Sequence, residues 1–189
     1  MKTKIGVMGS AGAAATPEID ELARALGKAI AVRDVILFTG ATTGLINVAG
    51  TAAREAGAFH VGISPGENQR EHVETFGLPI DACDVMVYTG FGLKGRNVVL
   101  VRSCDVVLFI AGSIGSLNEF TIAHDEGKII GCLTGTGGVA DEIERIAGTF
   151  KKSTRSRILR DSNPTRLIDT CLEAFAELSP RDFPINKQG

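Results

Sequence analysis

Apolar residues along this chain gather in short unbroken runs, and the stretches between them space their apolar positions three and four apart. The runs cover residues 4–8, 35–38, 59–63, 84–88, 105–110 and 129–133. They are of strand length and lack polar alternation, the pattern of strands covered on both faces. The first intervening stretch opens on Thr16-Pro17-Glu18, an N-cap followed by proline at the first helical position, and continues through Ile19, Leu22, Ala23, Leu26 and Ile30. Further helices are predicted over 45–56 (ended by Gly57), through Val98 to Arg102, from Leu117 to Ala123, from Val139 to about Ala147, and over 164–178. Strands alternating with helices predict an α/β chain. The expected architecture is a three-layer Rossmann-like fold with a mostly parallel central sheet flanked by helices, as one domain over 1–189.

Two stretches depart from this rhythm. Between Gln69 and Ala82 the pattern weakens, which predicts a long surface segment and a place for a flap. Residues 151–160 are basic and predict a solvated stretch with a short strand at Ile158-Leu159, and the chain beyond the last helix reads as a tail.

Five of the predicted strands run out into small-residue loops. The exits are 9–12, 39–44, 89–96, 111–116 and 134–138. In parallel sheets ligands bind beyond the carboxyl ends of the strands, so these loops converge on one edge. The centre is 105–128, where a buried strand, the turn Ala111-Gly112-Ser113-Ile114-Gly115-Ser116 and a helix start follow one another. Free N–H groups and the positive end of a helix dipole there suit an anion, and Glu119 lies one turn into the helix. An ordinary strand-to-helix turn would have the same local sequence; the five converging loops favour a ligand site.

Composition narrows the ligand. The formal net charge is -2, with one Tyr and no Trp, which argues against a nucleic-acid partner. Cys83, Cys104, Cys132 and Cys171 stand far apart beside apolar runs and predict buried thiols. His60, His72 and His124 show no ligand spacing, so no metal site is expected; His124 reads as a surface or interface residue. Lys94 and Arg102 could serve an anion or simply be solvated. A G-x-G-x-x-G fingerprint is missing, as is G-K-[ST], which excludes ordinary NAD chemistry and a P-loop. Without a cleavage site or long apolar span, a cytoplasmic protein with no membrane partner is expected.

The loop motifs resemble a known family. Thr39-Gly40-Ala41-Thr42-Thr43-Gly44-Leu45 resembles the G-G-G-x-x-G-L-M loop of the LOG (Lonely Guy) family, and Ala111 to Glu119 resembles its P-G-G-x-G-T-x-x-E. Arg96 falls where that family has its catalytic arginine. The resemblance extends to the wider SLOG superfamily, and Thr134-Gly135-Thr136-Gly137-Gly138, followed by Asp141 and Ile143, looks like the branch holding molybdenum cofactor carrier proteins. It implies a phosphate-bearing small-molecule ligand, with molybdenum cofactor as the possible bound cofactor, and a homodimer or homotetramer contacting through the helices from Leu45 and from Leu117.

On that resemblance the binding residues are Gly9, Ser10, Ala11, Gly40, Ala41, Thr42, Thr43, Gly44, Arg96, Gly112, Ser113, Ile114, Gly115, Ser116, Glu119, Gly135 and Thr136. If the chain is instead a LOG-like phosphoribohydrolase, releasing the base from a nucleoside 5'-monophosphate, Arg96 and Glu119 are its catalytic pair. A nucleotide sensor is a third possibility. The chain departs from the enzymes at several places: Ala111 replaces Pro, Ser113 replaces Gly, Ser116 replaces Thr, Asn118 replaces an acidic residue, and Asn97 stands where Lys is usual. Binding survives these changes better than hydrolysis does.

Overall fold

All six apolar runs, joined by a strand in the basic stretch, pair into one seven-stranded sheet in the computed structural model, which describes residues 1–12, 15–150 and 152–178. Lys151 and the expected tail beyond 178 lie outside the described residues. In chain order the elements are β1 (Thr3–Gly9), α1 (Pro17–Ala31), β2 (Val35–Thr39), α2 (Leu45–Glu55), β3 (Phe59–Ser64), β4 (Val85–Tyr88), α3 (Gly92–Ser103), β5 (Val106–Ile110), α4 (Ile114–Asp125), β6 (Ile129–Leu133), α5 (Gly138–Ala147), β7 (Arg157–Asp161) and α6 (Pro164–Ala176). The spatial order is β4-β3-β2-β1-β5-β6-β7, with each neighbouring pair parallel. The sheet is thus parallel throughout, a step beyond the mostly parallel sheet expected.

Strand residues alternate between two cores. Val106, Leu108 and Ile110 of β5 face α1, α2 and α6, while Val107 and Phe109 face α3, α4 and α5. Leu45, Ile46 and Ala49 of α2 belong to the first core. The apolar stripe of α2 is therefore internal, which corrects its reading as an interface. On the other face, α3 and α4 keep apolar residues in solvent, with Leu93, Val98 and Ile114 exposed and Phe91 exposed just before α3. No helix is long and apolar enough to cross a membrane among the described residues.

The chain winds outward from β1 to β4, then returns to place β5 on the other side of β1. That reversal opens a crevice between β1 and β5 at their carboxyl ends. Gly9 pairs with Ile110 there, and a Cβ at Gly9 would lie under 3.0 Å from the Ile110 carbonyl. Only glycine lets the two strands close at this point.

The segment from Gln69 to Ala82 does lie mostly on the surface, but it is anchored in the middle. One wide helical turn, Glu71–Thr75, places His72 inside the protein. Its Nε2–H donates to the Pro79 carbonyl (3.1 Å) and its Nδ1 accepts from the Ser64 hydroxyl (2.8 Å). The basic stretch is not simply solvated either: Lys152, Arg157 and Arg160 pair with Asp125, Glu177 and Glu144.

Candidate functional site

Hydroxyls finish three of the strands that feed the rim. Thr39 Oγ1 accepts from Ala41 N–H (3.1 Å), Ser64 Oγ from Gly66 N–H (3.0 Å) and Thr89 Oγ1 from Phe91 N–H (3.3 Å). Each bond turns the backbone sharply at the strand end. Behind Thr39 sits His60, whose Nδ1–H donates to the Ala82 carbonyl while Nε2 accepts from Thr39 Oγ1 (2.8 Å). Burial holds the His60 imidazole below its ordinary range, so it stays neutral and fixes the turn. His60 and His72 are therefore structural posts, one under each of two neighbouring exits.

The turns bring Arg96 and Glu119 together. Helix α3 begins at Gly92 rather than near Val98, so Arg96 lies in its second turn and points inward. A Cβ at Gly40 would fall under 3.0 Å from Nη1, Nη2 and Cζ of Arg96 alike. The guanidinium therefore lies face-on over the β2 exit. Its Nη1 donates to Glu119 Oε1 (3.3 Å) and to Asn97 Oδ1 (3.1 Å). Arg96 and Glu119 are only 5% and 6% exposed. Arg96 Nε is the single buried side-chain nitrogen or oxygen without a hydrogen-bond partner among the described residues. Burial pushes the Glu119 carboxyl up to about 7, against the pull of Arg96 and of Lys94, and burial also lowers the Arg96 guanidinium.

Asn97 and Asn118, two of the departures from the enzyme pattern, bond to each other: Asn97 Nδ2 donates to Asn118 Oδ1 at 2.8 Å. A neutral amide pair thus bridges α3 and α4 where the resemblance has a cation and a carboxylate. The two changes complement one another, and they leave Arg96–Glu119 as the only buried ion pair among the described residues.

Helix α4 starts at Ile114, three residues earlier than expected, with Ser113 as its N-cap. Ser113 is exposed and its side chain makes no capping bond, which leaves the first-turn amides of α4 without that partner. Lys94 reaches the same helix end, its Nζ lying 3.4 Å from where a Cβ on Gly115 would be. A cation held against the positive end of a helix calls for an anion between them. A groove of about 550 Å³ opens beside Ser113, between Ile114 and Leu117 of α4 and Val139 and Ile146 of α5. A larger depression, about 700 Å³, lies at the far ends of α3 and α4 beside Arg102, His124 and Phe150, away from these groups.

Other expected ligand residues are occupied within the protein. Ser116 is buried and its hydroxyl donates to the Gly9 carbonyl (3.0 Å). The Ser10 carbonyl accepts from Leu45 N–H (3.0 Å) at the start of α2, and the Ala11 carbonyl accepts from Thr43 Oγ1. The β1 exit is thus folded over the α2 N-terminus, and a Cβ at Gly44 would collide with it. Gly135 and Thr136 are the most fully bonded of these. Asp141 already accepts from Gly135 N–H (2.8 Å) and Gly137 N–H (2.7 Å), while Thr136 Oγ1 donates to Leu133 O (2.7 Å) and accepts from Ala111 N–H (2.8 Å). These bonds fasten the β6 exit to the β5 exit, helped by Val139 N–H to Gly112 O (3.0 Å) and Ala140 N–H to Ala111 O (2.9 Å).

Two alanines at the rim carry left-handed backbone, Ala41 at φ 48° and Ala111 at φ 50°. Buried Thr42 and exposed Thr43 follow the first of these. The thiols offer no chemistry here: Cys83, Cys132 and Cys171 are pushed up to about 12 by burial, and Cys104 is raised as well. His124 stacks on Phe120 at 5.4 Å and meets Ser156 Oγ at 2.5 Å, a half-buried packing residue.

The family model described as "LDcluster4: SLOG cluster4 family" matches residues 2–168. Among solved structures, the X-ray structure of TM1055 is 29% identical with a TM-score of 0.78, covering 91% of this chain and 99% of that one. A molybdenum cofactor binding protein from Rippkaea orientalis is 28% identical with a TM-score of 0.72, covering 92% and 98%. A Moco carrier protein from Chlamydomonas reinhardtii is 26% identical with a TM-score of 0.74, covering 94% and 100%.

Proposed function

The chain belongs to the SLOG cluster4 family, and from that premise we propose that it binds a phosphate-bearing, nucleotide-like small molecule, with molybdenum cofactor as the named candidate. The observation that carries this reading is the convergence of Arg96 and Lys94, both from α3, on α4, whose N-terminal amides have no side-chain cap. The solved carrier proteins of the same fold support it. A pterin cofactor of this kind has a phosphate, a flat polar ring system and an anionic metal–dithiolene head. The α4 amides, Ser113, Lys94 and Arg96 would hold the phosphate, and the groove beside Ser113 has room for the ring. No group of three or more His, Cys, Asp or Glu able to hold a metal occurs among the described residues. A metal-bearing ligand would keep its own sulfur ligands.

A second reading, a LOG-like phosphoribohydrolase, is favoured by one observation: Glu119 is buried, lifted to about 7 and in contact with Arg96. A carboxyl poised near neutrality can orient water or offset positive charge on a ribose as its glycosidic bond breaks. The two readings separate in one assay. Under the carrier reading, incubation with AMP and a panel of nucleoside monophosphates releases no free base. Molybdenum cofactor is retained on gel filtration, and Arg96→Ala weakens that retention roughly tenfold or more. Release of adenine that Arg96→Ala abolishes would instead establish the hydrolase.

The same reading places a second copy of the chain on the α3–α4 face, where Phe91, Leu93, Val98 and Ile114 stand in solvent. Large apolar residues left in solvent along two neighbouring helices suit an association surface. Light scattering on the purified protein should give a dimer or tetramer mass, and Val98→Glu should shift it toward the monomer. A monomer mass for the unaltered chain at micromolar concentration rules this surface out.

A further inference from the structure

The Arg96–Glu119 contact is built to be exchanged. We infer that Glu119 holds the place of the ligand's anion on Arg96, and that binding replaces the carboxylate with the anion while Glu119 takes up one proton from solvent. The inference rests on the phosphate-binding reading and adds a regulation to it. The geometry is that of a loose pair: a single 3.3 Å contact through one guanidinium nitrogen, which Asn97 shares, with Nε left unpartnered. A committed buried pair would be bidentate, with its remaining donors satisfied. A phosphate or sulfate offers more acceptor oxygens than the carboxylate and can serve the spare donors. Exchange leaves Glu119 buried without its counter-charge, and a buried carboxylate in that position binds a proton.

The groups that set this proton are few. From α3, Arg96 and Lys94 are the cations whose fields reach Glu119. Cys104, at the end of α3, is an un-ionised thiol raised by burial and donates to the Leu100 carbonyl (3.2 Å). On α4 itself the adjoining polar side chain is Asn118, occupied with Asn97. The carboxyl already titrates near 7 while paired, so loss of Arg96 can only raise it further. Anion binding should then be independent of pH below about 7 and fall tenfold per pH unit above it.

Sulfate is the suitable probe, since it stays fully ionised across this range. Titrating the full chain with sulfate by calorimetry, affinity is expected to weaken roughly eightfold from pH 7.5 to 8.5, with net proton uptake measured in two buffers of different ionisation enthalpy. Glu119→Gln should abolish both the slope and the uptake, and should bind sulfate more tightly than the unaltered chain at pH 8.5. If that variant does not fold, proton uptake by the unaltered chain decides the matter alone. Sulfate that binds with a flat pH profile and no proton uptake overturns the exchange and leaves the phosphate-binding reading standing, as does a slope that survives in Glu119→Gln. Failure of sulfate to bind at any pH overturns the exchange and the anion site with it.

Discussion

A Glu119→Leu protein is expected to lose about 3–5 kcal/mol of stability at pH 7, the cost of removing one partner from a buried ion pair. The Arg96→Met protein should lose less. The asymmetry comes from chemistry: an arginine cannot shed its charge, whereas a carboxyl can take up a proton. Glu119 is already raised from 4.5 to about 7 by burial, so without Arg96 it simply becomes neutral. Arg96 without Glu119 stays charged, is 5% exposed, and among the described residues keeps only Asn97. Urea denaturation of the three proteins would test this, and equal losses for the two variants would contradict it.

The same shift has a sign in the pH dependence. Because the folded value exceeds the unfolded one, the folded protein holds a proton on Glu119 that the unfolded chain has released between about 4.5 and 7. Stability from this group is therefore full below that window and is lost as pH rises through 7. The difference in stability between the unaltered chain and Glu119→Gln should fall by on the order of 2 kcal/mol from pH 5 to pH 8.

Gly27→Ala should be strongly destabilising although it adds a single methyl group inside a helix. Gly27 is buried in α1 where α1 crosses α2. A Cβ there would lie under 3.0 Å from the Ala49 carbonyl and the Ala53 amide, both backbone atoms of α2 that cannot rotate aside. In an open helix alanine would gain about 1 kcal/mol over glycine. Here the two helices must separate, and a net loss of about 3 kcal/mol is expected. Thermal unfolding of Gly27→Ala checks it. A raised melting temperature would mean that α1 and α2 are not in backbone contact.

Most of the architecture was written in the hydrophobic pattern. All six long apolar runs are strands because buried parallel strands need no polar face, and Thr16-Pro17 and Asn163-Pro164 start helices as their cap chemistry requires. Helix starts at the rim were harder to place. Gly92, Gly95 and Gly115 are poor helix formers, so 92–97 and 114–116 read as loop, whereas tertiary packing of Arg96 and Ser116 draws those turns into α3 and α4. The short strand at Ile158-Leu159 extends over Arg157–Asp161 because edge pairing with β6 tolerates its arginines.

The expected site residues could be listed from the sequence, but their hydrogen-bond partners could not. Arg96 and Glu119 were identified from motif positions, and their contact could follow only from the fold. Ser116, Gly135 and Thr136 were expected to offer donors, but their bonds go to Gly9, Asp141 and Leu133. A one-dimensional sequence cannot say whether a hydroxyl at a strand exit faces a ligand or a neighbouring carbonyl. Asp141 carried the available signal, being a carboxylate six residues after Gly135 and four after Gly137. The Asn97–Asn118 bridge was signalled only by the coincidence of two departures from one pattern.

The backbone at Ala111 bears on how this loop could have diversified. Its φ of 50° is open to glycine, asparagine or, with some strain, alanine, but closed to proline, whose ring fixes φ near −65°. A chain with P-G-G at this place must trace a different path out of β5. Grafting that tripeptide onto this chain would therefore unseat the Thr136 and Ala140 bonds to Ala111. The two loop types are separated by a conformational step that no single side-chain exchange crosses, and chimaeras between them need the whole turn transplanted with its partner loop.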